Sequence, residues 1–208
     1  MTARALIVSA PRSGAGKTTV TLGLLAALRR RGTTVRAAKA GPDYIDPAFH
    51  AAATGAPSPN LDSWAMPPAL LDALLGQAAG DAATLVIEGA MGLFDGVAGE
   101  AGRSGAVADL AARFGIPVLL VVDVTGQSQS AAAVVAGFAG FDPAVRLAGV
   151  ILNRVGSERH EEVLRSACAR VGSSLPGRSS EKRRRETPRQ ARKMVSITLR
   201  PAKSSETW

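Results

Sequence analysis

Five short apolar runs, at 5–8, 35–38, 85–87, 118–122 and 147–152, punctuate the first three quarters of this chain. Each is bounded by Gly, Pro or charge. Between them lie segments of helix length, with helical periodicity at 17–31, 68–79, 105–114, 127–139 and 158–171. Strands that read as continuous apolar runs are buried on both faces, and the intervening helices provide the cover. The alternation therefore predicts a three-layer α/β domain with a mostly parallel central sheet. In such sheets ligands collect beyond the carboxyl ends of the strands. Polar motifs that follow the apolar runs are thereby expected to meet at one place.

The first of these motifs is Ser9 to Thr19, SAPRSGAGKTT, set between the first apolar run and the first helical pattern. A glycine-rich turn feeding a helix start aims several backbone N–H groups at one spot with the helix dipole behind them, which makes a phosphate cradle. Ser13, Gly14, Ala15, Gly16, Lys17, Thr18 and Thr19 are its residues. Lys17 is placed to reach the β/γ-phosphates and the Thr18 hydroxyl to face Mg²⁺. The first glycine of the G-x-x-x-x-G-K-[ST] pattern is Pro11 here. The expected ligand is a nucleoside triphosphate.

The net charge of +8 would suggest nucleic acid, but its distribution argues otherwise. Residues 1–172 carry 15 Lys/Arg against 14 Asp/Glu, and residues 173–208 carry 10 against 3. The folded body is near neutral, and the basicity belongs to a tail. No stretch reaches the roughly 18 uninterrupted apolar residues of a membrane span. No signal-peptide pattern is visible at the start, so a cytoplasmic location is expected. The single cysteine, Cys168, excludes an intrachain disulfide and lies in a helical pattern that reads as core.

Two further blocks carry carboxylates. Lys39 to His50, KAGPDYIDPAFH, follows the second run, and its Asp43 and Asp46 suit Mg²⁺ and its waters; Asp46-Pro47 equally suits a helix start. Val86 to Gly96, VIEGAMGLFDG, follows the third run. Glu88 there faces a metal or its water, while Asp95-Gly96 is either part of the site or a turn. Asn153 after the fifth run suits adenine, with a strand-end turn as the alternative. Asp123 after the fourth run lines the same cleft or opens a helix. His50 and His160 lack partners at metal or triad spacing, and His160 is expected to be exposed. Phe114, Phe138 and Phe141 read as core, and Trp64 as packing near the Asp62 loop.

Together with Asn60 to Trp64, these blocks resemble the cobyrinic acid and hydrogenobyrinic acid a,c-diamide synthase family over residues 4 to about 172. More distantly the domain is similar to dethiobiotin synthetase. The resemblance implies a P-loop NTPase fold. It also implies ATP-dependent amidation of the a and c acetate side chains of a corrinoid polycarboxylate through acyl phosphates, in cobalamin biosynthesis. By the same resemblance Lys17, Asp43, Asp46, Glu88 and Asp95 act in catalysis, and Thr18, Asp46 and Glu88 hold Mg²⁺. Asn153 joins the P-loop residues in binding ATP, and Tyr44, Ile45 and Asp62 meet the substrate.

Members of that family carry a second, glutaminase domain with a nucleophilic cysteine followed by a histidine. Both histidines here precede Cys168. The expectation is a synthetase half over 1–172, fed by ammonia from the free pool or a separate glutaminase, then a basic, disordered or aberrant tail over 173–208. Within that tail only 194–199 could make a short strand. A homodimer stays open. The alternatives are a nucleotide-switched ATPase of the ParA/MinD type, against which the neutral body argues, and an inactive truncated fragment.

Overall fold

Alternate residues of the apolar runs face opposite helical layers, and that two-sided burial draws them into one sheet. The computed structural model describes residues 3–174 and 195–198. In chain order the elements are β1 (Arg4–Ser9), α1 (Lys17–Arg30), β2 (Val35–Ala40), α2 (Asp46–Thr54), β3 (Asn60–Leu61), α3 (Pro68–Ala79) and β4 (Thr84–Glu88). Then follow α4 (Val107–Phe114), β5 (Val118–Asp123), α5 (Ser130–Phe141), β6 (Leu147–Asn153), α6 (Glu158–Ser174) and β7 (Val195–Thr198). All described pairings are parallel, in the order β3-β2-β4-β1-β5-β6-β7.

Val8, Ala37, Val86 and Val121 pack with Val20 and Leu25 of α1 on one face. Ile7, Ile87, Leu120 and Leu152 pack with Leu71 of α3, Leu110 of α4, Val135 of α5 and Leu164 of α6 on the other. Cys168 is buried in this second layer, as its helical pattern requires. Among the described residues no helix is long and apolar enough to cross a membrane.

The structure adds to and corrects the sequence reading. β3 is only two residues long, too short to leave a periodic signal. The helix start at Asp46-Pro47 exists, but its N-cap residue is Ile45, and the Asp43 carboxylate accepts from the Ile45 and Asp46 N–H groups (2.8 and 2.9 Å). Asp46 is thereby left free for another partner. α5 starts at Ser130 rather than 127, because Asp123 and Val124 accept from Thr125 and Gln127 and turn the chain first. Phe141 is 72% exposed and leans on Phe94 at 4.6 Å, so it is a surface residue and not core. The stretch 195–198 forms an edge strand beside β6. The remainder of the expected basic tail, after Ser174, lies outside the described residues.

Register sets the site. Glu88 pairs with Val8 of β1 on one side and with Lys39 of β2 on the other, and Lys39 pairs with Asn60. Across β5 and β6, Asp123 pairs with Asn153. Both rows end on the edge from which the Ser9–Thr19 loop leaves β1. Because Ile7 is fully buried in a central strand, Ile7→Ala is expected to cost about 2–5 kcal/mol in a urea titration. A loss below about 1 kcal/mol would contradict the central placement of that strand.

Candidate active site

Gly14 and Gly16 take φ of +73° and +94°, a left-handed backbone that glycine enters without strain. Gly16 has a second reason to be glycine: a Cβ there would lie 2.4 Å from Asn153 Nδ2. Asn153 donates to the Ala15 carbonyl at 2.9 Å and accepts from the Arg154 N–H at 3.0 Å, tying the end of β6 to the loop. Helix α1 then begins at Lys17 with no acidic residue in its first turn, leaving its N-terminal N–H groups to an anion.

A cavity of about 530 Å³ opens over this loop, lined by Ser13, Gly14, Gly16, Lys17, Thr18, Thr19, Lys39, Asp43, Asp46 and Glu88 among others. Lys17 and Glu88, far apart in sequence, thus share one cleft. Lys17 donates to the Met91 carbonyl at 2.6 Å. Met91 itself holds φ of +45°, a strained conformation for a side-chain-bearing residue. Burial, reinforced by the nearby Lys39 charge, lowers the affinity of Lys17 for its proton, against the pull of Glu88, Asp95 and Asp46.

Glu88 has no exposed surface. Its Oε1 accepts from the Thr18 hydroxyl at 2.6 Å and its Oε2 lies 2.7 Å from His50 Nε2. Lys39 Nζ stands 3.6 Å from Oε1. Burial pushes the Glu88 carboxyl up, but the His50 and Thr18 bonds and the Lys39 charge outweigh it and hold it below its ordinary value. The same ammonium pairs with Asp46 at 2.9 Å, lies 3.8 Å from Asp43 and donates to the Gly89 carbonyl at 3.3 Å. Asp43 too is held low: burial opposes this, and the two N–H bonds at the start of α2, with Lys39, prevail.

Not every expected residue joins the cavity. Asp95 is exposed and spends Oδ2 on the Gly92 N–H at 2.7 Å, closing the turn after β4. Gly92 cannot carry a side chain there, since a Cβ would meet the Pro11 carbonyl at 2.7 Å. Asp62 is buried, and its Oδ1 accepts from the Trp64 and Ala65 N–H groups. Tyr44 and Ile45 are 93% and 68% exposed, standing between Asp43 and Asp46 at the rim.

Three features escaped the sequence reading. His50, assigned no partner, is fully buried against Glu88; its spacing of four from Asp46 on one helix face was the available signal. Lys39, a lysine inside an otherwise apolar strand end, is the shared counter-ion of three carboxylates. Buried Asp123 bridges Arg12 (2.8 Å) and Arg154 (2.6 Å), and nothing local in the sequence predicts that triad. His160, expected to be exposed, is half-buried: Nε2 donates to the Gln127 carbonyl at 2.6 Å and Nδ1 accepts from the Gly156 N–H.

Fold and site together define a P-loop nucleotide-binding domain. Residues 6–184 match the profile of the CobQ/CobB/MinD/ParA nucleotide binding domain, and the chain belongs to that family. A Mesorhizobium japonicum protein named hydrogenobyrinate a,c-diamide synthase is 60% identical over 177 residues, covering 85% of this chain and 40% of that protein. Proteins of the same name from Agrobacterium fabrum (58% over 177 residues, 85% and 40%) and Mycobacterium bovis (51% over 180 residues, 85% and 39%) match similarly. The chain thus spans about 40% of the length of the relatives it matches. Among solved structures, the hydrogenase maturation factor HypB of Archaeoglobus fulgidus superposes with a TM-score of 0.55 at 12% identity, covering 94% of this chain and 81% of that one. A LAO/AO transport system kinase gives 0.52 at 18%, covering 95% and 54%. At these identities the likeness establishes the fold alone.

Burial raises the Asp123 carboxyl, but the Thr125 N–H and the Arg154 charge bring it below 3.8 in the folded chain. A depressed folded value stabilises above the unfolded value and is lost as pH falls through the folded one. Asp123→Asn is therefore expected to lower stability by about 1–3 kcal/mol at pH 7. The deficit should shrink steadily below pH 3.8, as read by denaturant titrations at several pH values. A deficit independent of pH would contradict the charged bridge.

Proposed function

We propose that this chain is the ATP-dependent, amide-forming half of a hydrogenobyrinate or cobyrinate a,c-diamide synthase. The observation that carries the reading is the meeting of Lys17, Thr18, Asp46 and Glu88 on one cavity, in a chain 51–60% identical to relatives of that name. A carboxylate does not exchange oxide for ammonia unaided. Attack of an acetate oxygen on the γ-phosphorus of ATP releases ADP and leaves an acyl phosphate. Ammonia then adds at the carbonyl carbon and phosphate departs, leaving the amide. The protein's part in such a transfer is positioning and charge neutralisation.

The N–H groups of Gly14, Gly16 and Lys17, flanked by Ser13, Ala15 and Thr19, hold the phosphates. Lys17 exchanges the Met91 carbonyl for the β/γ-oxygens. The residues present fit Mg²⁺: Thr18 Oγ1 and Glu88 Oε1 already converge at 2.6 Å, Glu88 is kept ionised, and Asp46 lies beside them on Lys39. Mg²⁺ takes one or two carboxylates plus phosphate oxygens, and its charge would neutralise the transferring phosphoryl group. Asp43 holds the start of α2 in place, and Asp95 shapes the turn that presents the Met91 carbonyl. Asn153 retains one N–H and one lone pair for the adenine edge. Tyr44 and Ile45 offer an apolar rim to the corrin, and Asp62 shapes the neighbouring loop.

The test is phosphate release and amide formation by the purified chain with ATP, Mg²⁺, ammonium and hydrogenobyrinic acid. Turnover is expected to rise with the corrin acid and not with DNA or lipid vesicles. Lys17→Ala should abolish it. Glu88→Gln should reduce kcat by about 10²–10³-fold with the fold retained by circular dichroism. Unchanged rates in both variants would sink the reading.

A further inference from the structure

We propose that His50 is a positioning residue that fixes the Glu88 carboxylate, selecting which of its oxygens is presented to the nucleotide-bound Mg²⁺. The two oxygens of Glu88 are not equivalent. Oε2 is turned into the protein, 2.7 Å from His50 Nε2, whereas Oε1 faces the Thr18 hydroxyl at 2.6 Å on the cavity side. Neither His50 nor Glu88 has exposed surface, so no water competes for that bond. A carboxylate only accepts, so Nε2 carries a proton, and Nδ1 lies 3.3 Å from the Ser58 hydroxyl, which can pair with it as donor or acceptor. Ser58, His50, Glu88 and Thr18 thus form a chain of hydrogen bonds running from the segment before β3, through α2 and the end of β4, to the first turn of α1.

Without the His50 bond the Glu88 side chain retains one strong anchor and a nearby ammonium, Lys39, on the same oxygen. Rotation toward Lys39 would then carry Oε1 away from Thr18. Residues that orient a metal-binding carboxylate typically matter about 10–100-fold in metal affinity. His50 is also one helical turn from Asp46 on α2, so one rigid element places both the Lys39 partner and the Glu88 partner.

The inference rests on the ATP–Mg²⁺ reading above, and the experiment separates the two. Binding of a non-hydrolysable ATP analogue is measured by calorimetry without Mg²⁺ and across an Mg²⁺ series, for wild type, His50→Ala, His50→Gln and Ser58→Ala. His50→Ala should raise the Mg²⁺ concentration needed for tight binding about 10–100-fold. Metal-free analogue binding should change little, because Gly14, Gly16 and Lys17 are untouched. His50→Gln, which keeps an N–H donor, should return toward wild type. A His50→Ala protein with lowered Tm but a wild-type Mg²⁺ requirement would overturn the proposal, since that is the signature of packing alone. Should His50→Ala fail to fold, Ser58→Ala decides: a raised Mg²⁺ requirement supports the orienting chain, and a wild-type one refutes it. A wild type that gains nothing from Mg²⁺ would sink the ATP–Mg²⁺ reading and this inference with it.

Discussion

A carboxylate with no exposed surface, Glu88, sits at the end of a central strand, and the rest of the site is arranged around keeping it charged. Taking an ion of this kind out of water costs several kcal/mol unless partners replace its hydration. Three do so here: Thr18 from α1, His50 from α2 and Lys39 from β2. Each comes from a different element, so the charge can be accommodated only when the P-loop helix, the Asp43–His50 segment and the β2–β4 pair are all in place. Parallel register does the coarse placement by setting Lys39 directly beside Glu88. The side chains on α1 and α2 complete it.

The opposite flank of the loop is held by a different device. Asn153 ties the Ala15 carbonyl from the end of β6, and buried Asp123, its neighbour across the β5–β6 pair, gathers Arg12 and Arg154. The loop is therefore pinned from both sides while Ser13, Gly14, Gly16 and Lys17 still line the cavity. Lys17 reaches across to the carbonyl of Met91 in the loop after β4. That loop is shaped by Asp95 and Gly92, so residues outside the cavity wall still determine where the lysine rests.

The strands and helices were legible because burial on two faces leaves a continuous apolar run, and burial on one leaves a helical period. Lys17, Thr18 and Glu88 were legible for a related reason: each stands at a junction where such a pattern ends. β3 was not, since two residues carry no period. Phe141 misled because an aromatic near a helix end reads as core, although its ring leans on Phe94 from outside. The sequence offers Asp46 either as a helix cap or as a site residue; Asp43 takes the N–H groups at the helix start, and Asp46 pairs with Lys39 instead.

By itself the sequence determined the layering of the domain and the phosphate-binding loop, because hydrophobic periodicity and glycine backbone freedom are local properties written residue by residue. The tertiary structure alone decided the long-range polar pairings. His50 meets Glu88 across 38 positions, Asp123 meets Arg12 across 111, and Asn153 meets Ala15 across 138. Those pairings follow from strand order and register, which bring distant strand ends to one edge. No window of sequence short enough to show a pattern contains both members of any such pair.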